Sequence, residues 1–383
     1  MPALFSKNIF IQFLSQNIIS FYFLVKYNYS KVAFIPLKRE VLMREFPGFK
    51  KGLNLGGWLS QSPLTKDHMD CFITEEDLKL IASMGADHVR LPVDYPLVEA
   101  EDGTPKPEGY AYIDNCVAWC EKYGLHMLLD LHRAYGYSFG NAANCNSFFE
   151  DEELQERFIL LWEKFAMRYG KYDFVAFDLL NEIVDPNVSD AWNSIAERTV
   201  HRVRKFAPDT WIVIGGTCYN SINTVKYILP PPDTKIAYAF HFYEPFLFTH
   251  QGASWEKLMP NEFRVAYPLT AGEYTDIANR ELNGVFNGIF RGMAPDTTGT
   301  DMIEFIFSEA VAVAEKQNVP LYCGEYGVIH NAAPEYGLAW QKDIHEVFEK
   351  HGIGRAVWNY KRMGFGIVDE HNKDVYEELV KVL

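Results

Sequence analysis

From Lys51 onward the chain repeats one pattern: a short apolar run, a loop, then a stretch whose apolar residues recur with a 3.6-residue period. The runs are Gly52–Ser60, His88–Tyr95, Leu125–His132, Phe174–Glu182, Trp211–Gly216, Ile236–Pro245, Val319–Gly327 and Gly354–Arg362. Runs of this length bounded by Gly and Pro predict strands buried on both faces, as in a parallel sheet. Helices fit between them at Asp151–Tyr169, Ser189–Phe206, Thr300–Lys316 and Glu335–His351, with a last one at Lys373–Leu383. Thr74 before Glu75, Glu76 and Asp77 predicts a further helix start, since a hydroxyl caps free backbone N–H groups and acidic residues suit the positive helix end. Eight alternations without a hairpin signal predict an α/β fold, a closed (β/α)8 TIM barrel, over an open doubly wound sheet. A nucleotide-binding open sheet would carry a Gly-rich turn opening a helix. Gly52–Gly57 is followed by no helix start and reads as a strand end.

A length of 383 residues fits one barrel of roughly 250 residues with loop insertions, and no Pro/Gly/Ser-rich linker divides it. Residues 43–383 are therefore expected to form a single catalytic domain. The largest insertion, Glu244 to about Asp296, shows no helical period and carries Phe246, Phe248, Trp255, Tyr267 and Tyr274. Its length and aromatic content predict a lid or a cleft wall, with Trp255 as a sugar platform. Residues 1–42 differ in kind, with five basic residues against one acidic residue, Glu40. The apolar stretch Ile9–Val25 is broken by Gln12, Ser15, Gln16, Asn17 and Ser20, and no small-residue cleavage site follows. It is also too interrupted to span a bilayer. These residues are expected to be a non-domain extension upstream of a biological start at Met43, which predicts a cytoplasmic enzyme. A real signal in 1–42 would instead predict secretion.

The formal net charge of -15 argues against a nucleic-acid partner, because phosphate backbones are bound by basic surfaces. A neutral polymer is indifferent to that charge. The aromatic share of 15% suits clefts that lay flat rings against the C–H face of a pyranose. The six cysteines, Cys71, Cys116, Cys120, Cys145, Cys218 and Cys323, form no C-x-x-C pair and are expected to be buried free thiols.

Polar residues gather at the ends of the predicted strands, where barrel enzymes place their chemistry: Arg90, His132, Asn181, Glu182, His241, Tyr243, Glu325 and Trp358. Glu182 and Glu325 end the fourth and seventh runs, which face each other across a barrel mouth. Such a pair can flank one bond, which glycoside hydrolysis requires. Alone, each of these residues has a plain structural reading; Arg90, for instance, has Asp94 nearby to pair with. The ordered set of Arg in HVRLPV, His in LLDLH, Asn-Glu in FDLLNE, H-x-Y in HFYEP, Glu in CGEYG and Trp in VWNY resembles glycoside hydrolase family 5 over Gly52 to Asp369.

That resemblance implies a retaining β-glycanase with Glu182 as general acid/base and Glu325 as nucleophile, about 5–5.5 Å apart. It further implies that Asn181 binds the sugar 2-OH and that Arg90 and Tyr243 hold Glu325 ionised. His241 would adjoin the acid/base, His132 would meet sugar hydroxyls, and Trp358 would floor the ring. Glu182 would need a raised pKa, from burial and from the Glu325 charge. Trp58 in NLGGW and the stretch Phe242–Trp255 resemble glucan-acting branches, which makes a β-linked glucan oligo- or polysaccharide the expected partner. Mannan, xyloglucan and a catalytically silent carbohydrate-binding barrel are the alternatives. No H-x-H ligand pair stands on the first run, where the chain reads Asn54-Leu55-Gly56, so neither metal nor cofactor is expected.

Overall fold

The computed structural model describes residues 43–140, 147–229 and 233–383. The extension 1–42, on which the expected start at Met43 turns, and Cys145 lie outside the described residues. Eight parallel strands close a barrel in chain order, with β8 hydrogen-bonded back to β1. They are β1 (Lys51–Asn54), β2 (His88–Asp94), β3 (His126–Arg133), β4 (Val175–Asp178), β5 (Ile212–Gly215), β6 (Ile236–Phe242), β7 (Leu321–Tyr326) and β8 (Gly354–Val357). Among the described residues, no helix is long and apolar enough to cross a membrane.

Every predicted run contains its strand to within one residue, but several outlast it. Strand pairing ends at Asn54, Asp178 and Val357, while the runs were expected to reach Ser60, Glu182 and Arg362. The tails stay buried as they leave the ladder to build the rim, so hydrophobicity does not mark the strand end. Alternation sorts the side chains. Met127, Leu129 and Leu131 of β3 face the helical layer, while Leu128, Asp130 and His132 take the other phase and face the lumen. The lower lumen is closed by Phe46, Phe49, Leu128, Ala176, Ala237, Ala239, Tyr322 and Ala356. Higher on the same faces stand Asn54, Arg90, Asp130, His132, Asp178 and His241, all buried.

The insertion is better ordered than its sequence suggests. It contains a helix, Ala271–Glu281, started by a capping box in which Thr270 and Glu273 satisfy each other's backbone groups. Phe248, Tyr267 and Tyr274 are buried, and Tyr274 stacks on Phe290 at 5.6 Å. Most of the aromatic excess here is therefore the core of an added layer. Trp255, 57% exposed, is the exception. The fifth unit also departs from the repeat: a 3-10 helix, Ile222–Tyr227, stands where the other units place α-helices. Of the described cysteines, Cys116, Cys120 and Cys323 are buried, Cys218 is half-buried and Cys71 is exposed, so the buried reading fails for Cys71.

Candidate active site

Arg90 organises the upper lumen. Its guanidinium is fully buried, with Nη1 2.9 Å from Glu325 Oε1 and 3.0 Å from Asn54 Oδ1. Nε donates to Asp178 Oδ2 at 3.0 Å, while Nη2 reaches Asn181 Oδ1 at 3.0 Å and Asp130 Oδ2 at 3.1 Å. The alternative partner, Asp94, instead takes Ser60 and the backbone of Gln61. One buried cation thus faces three carboxylates. Breaking such a cluster by removing its cation costs about 3–5 kcal/mol, because uncompensated charge is left in a dry interior. Burial pushes the Asp178 carboxyl well above the usual range, which reduces the negative charge left over.

Glu325 has both oxygens capped: Oε1 by Arg90 and Oε2 by the Tyr243 hydroxyl at 3.0 Å. Burial and the Glu325 charge raise the Tyr243 pKa well above its ordinary value, so this group stays a donor. A bulge between Phe240 and His241 sets His241 directly beside Glu325 in the β6–β7 ladder. Gly324 makes this closeness feasible, as a Cβ there would stand 3.0 Å from His241 Nε2.

Glu182 lies just beyond β4 with φ +39°, a conformation non-glycine residues avoid. The Tyr137 hydroxyl supports this bend, donating to the Glu182 carbonyl at 2.6 Å and accepting from Val184 N at 3.1 Å. The Glu182 side chain keeps 14% exposure, and Oε1 lies 2.9 Å from His241 Nδ1. Burial pushes its pKa up to about 7, opposed by His132 and Arg90 and aided by the Asp130 charge. An oxygen of Glu182 and one of Glu325 lie within 4.8 Å of each other. Oxygens this close are compatible with direct attack, for which the two carboxyls stand about 5–5.5 Å apart.

The remaining expected residues ring this pair. His132 holds Asp130 Oδ2 through Nδ1 at 2.7 Å, meets Gln61 at 3.0 Å through Nε2, and stacks on Trp358 at 5.9 Å. Burial would lower its pKa, but the charge and hydrogen bond of Asp130 outweigh that and raise it. Trp358 covers Gly56, where a Cβ would lie 2.5 Å from its ring. Asn181 Oδ1 accepts from Arg90, and its buried Nδ2 has no partner among the described residues, leaving a donor for a bound hydroxyl. Trp255 lies farther out, edge-on to His250 at 6.3 Å, and His250 in turn lies 4.8 Å from Tyr243. Trp58 is fully buried, its indole N–H donating to the Met69 carbonyl and its ring stacked near Trp119.

The sequence reading missed Asn54, Gln61, Asp130, Tyr137, Asp178 and Asn220. Asp130 was within reach, since it shares the phase of His132 two residues on. Asn220 left no signal, because it sits on a loop and reaches the site only through the fold.

Cellulase (glycosyl hydrolase family 5) matches as a family over residues 50–364. The chain is 41% identical to Endoglucanase C of Acetivibrio thermocellus over 340 residues, which covers 88% of this chain and 98% of that protein. It is 40% identical to Cellodextrinase A of Ruminococcus flavefaciens over 309 residues, covering 80% and 84%. In structure it resembles endoglucanase Cel5A of Thermotoga maritima, with a TM-score of 0.69 at 23% identity, over 88% of this chain and 97% of that one. With a family match over most of its length and a barrel that sets two glutamates face to face, this chain belongs to glycosyl hydrolase family 5, the cellulase family.

Proposed function

We propose that this chain is a retaining hydrolase of β-glucosidic bonds in glucan-type oligo- and polysaccharides. The observation that carries this is the asymmetry of the two facing carboxyls: Glu325 capped on both oxygens by donors, Glu182 pushed by burial to about 7. Donors favour an ionised nucleophile, and burial favours a protonated acid. Glu325 attacks the anomeric carbon while the glycosidic C–O bond breaks and the Glu182 proton passes to the leaving oxygen. Glu182, now a carboxylate, then takes a proton from water as that water attacks the same carbon and releases Glu325. Two inversions give net retention.

Arg90 and Tyr243 orient the nucleophile, and Asn181 meets the 2-OH. His132 and Trp358 bind and floor the ring, His241 adjoins the acid, and Trp255 extends the platform. The names of the relatives, an endoglucanase and a cellodextrinase, support the glucan class over mannan and xyloglucan.

A panel of cello-oligosaccharides, mixed-linkage glucan, mannan, xyloglucan and aryl β-glycosides tests this, read by reducing sugar and by proton NMR of the first product. Release of the β-anomer from glucans is expected; an α-anomer, no release, or faster mannan cleavage would overturn the reading. Glu182, His241 and Glu325 also offer three ligand atoms within 4.8 Å of one another. Activity is expected to survive a chelator, and loss reversed by a divalent cation would favour a metal-dependent hydrolase instead. For the platform, Trp255→Ala should raise KM for cello-oligosaccharides about tenfold, or ~1.4 kcal/mol, the scale of one ring contact. Short aryl glycosides should be little affected. Equal shifts on both substrates would make Trp255 a packing residue.

A further inference from the structure

Just after β5 the backbone does something unusual. Cys218, Tyr219 and Asn220 take φ of +53°, +58° and +53°, three consecutive non-glycine residues in the left-handed region. L side chains avoid this conformation, and it persists only where surrounding contacts impose it. Here they do. Tyr219 N donates to the Ile183 carbonyl at 2.9 Å, tying the turn to the residue that follows Glu182. Ser221 forms a bridge with His241.

Between these anchors Asn220 is fully buried. Its Nδ2 lies 3.4 Å from His241 Nε2, and its Oδ1 has no hydrogen-bond partner among the described residues. Gly215 leaves the room, since a Cβ there would stand 2.6 Å from both Nδ2 and Oδ1. The other ring nitrogen, His241 Nδ1, lies 2.9 Å from Glu182 Oε1 and 3.6 Å from Glu325 Oε2.

His241 is held neutral, because burial lowers its pKa to about 4. A neutral imidazole carries one N–H and one lone pair, and the group bonded to one nitrogen decides which is which. An amide N–H facing Nε2 requires the lone pair there. The ring proton is then on Nδ1 and donates to Glu182 Oε1. An oxygen that accepts this bond is the carbonyl oxygen of the acid, so the acid proton belongs on Oε2.

Resting on the glycosidase reading above, we propose that Asn220 is a positioning residue for the acid step. It sets the His241 tautomer and so keeps the Glu182 proton on Oε2, the oxygen not tied to the buried ring. In the first step this proton moves from Oε2 to the leaving oxygen as the C–O bond breaks and Glu325 bonds to the anomeric carbon. With an acceptor at position 220 the ring inverts: Nε2 takes the proton, the Nδ1 lone pair faces Oε1, and the acid proton is drawn to Oε1, away from the leaving oxygen.

The test compares kcat/KM for cellotetraose, whose leaving alcohol needs a proton, with that for 2,4-dinitrophenyl β-cellobioside, whose phenolate does not. Asn220→Asp keeps the size and tolerates the left-handed backbone, and should slow cellotetraose about 100-fold, the low end of a proton-transfer contribution. The aryl substrate should stay within about threefold, which also reports an intact fold. Asn220→Gly keeps the backbone and deletes the amide, and should give a smaller loss with the same selectivity. Equal losses on both substrates, or no loss on either, would overturn the role. A wild-type protein that turns over neither substrate would overturn the glycosidase reading instead, so the two failures are distinguishable.

Discussion

Glu325→Ala is expected to lose turnover on every β-glucoside by at least about 10⁴-fold, or ~5.5 kcal/mol on the barrier. The loss follows from the mechanism: without the carboxylate no glycosyl ester forms, and a good leaving group does not replace it. The fold should hold, because Arg90 keeps Asp130 and Asp178 as partners and the lumen loses a negative charge rather than a positive one. Azide should enter the vacated space and restore release of dinitrophenol from an activated donor. It attacks from the face the nucleophile used, so a single inversion makes the product the α-glycosyl azide. Proton NMR of that product checks the assignment. Near-wild-type hydrolysis, or a β-azide, would move the nucleophile elsewhere.

The second large effect belongs to Glu182. In Glu182→Ala, cello-oligosaccharide cleavage should fall about 10³-fold, the scale of a positioned proton donor. Formation of the glycosyl-enzyme from a dinitrophenyl glycoside should stay fast, leaving a burst followed by slow turnover, because the second step still lacks its base. The pH profile gives an independent sign. Glu182 acts first in its protonated form, and burial places its pKa at about 7. In the wild type, kcat/KM for oligosaccharides should therefore fall as pH rises through about 7. Dinitrophenyl substrates should show no such fall, and Glu182→Ala should lose it altogether. A limb that persists in the variant, or a missing burst, would assign the acid to another group.

Both predictions concern residues already conspicuous in the chain, whereas their settings were not. Glu182 and Glu325 stood out because a polar residue closing an apolar run has few packing reasons to be there. Arg90, His132, Asn181, His241, Tyr243 and Trp358 stood out as members of the same ordered set, and the structure brings all of them around the pair. Trp58 shows the limit of that reasoning. Within NLGGW it resembles glucan-acting branches of the family, yet its indole is taken up by the Met69 carbonyl and the neighbouring Trp119. A sequence shows that a large aromatic ring is present, but not which side of a rim it packs on. The insertion erred the same way, with Phe248, Tyr267 and Tyr274 read as a cleft wall and found as core.

By itself the sequence determined the periodicity, and with it the eight strands, their parallel burial and the placing of Glu182 and Glu325 in or just beyond two of them. These follow from local rules, since alternation and apolar run length act over a few residues. Only the tertiary structure decided which carboxyl is capped and which keeps its proton, because those outcomes depend on groups far apart in the chain. Glu325 meets Arg90 and Tyr243 from two other strands, Glu182 is desolvated by its surroundings, and Asn220 reaches His241 across a strained turn. Charge and desolvation act through space, and a linear pattern does not encode distance between strands until the barrel closes.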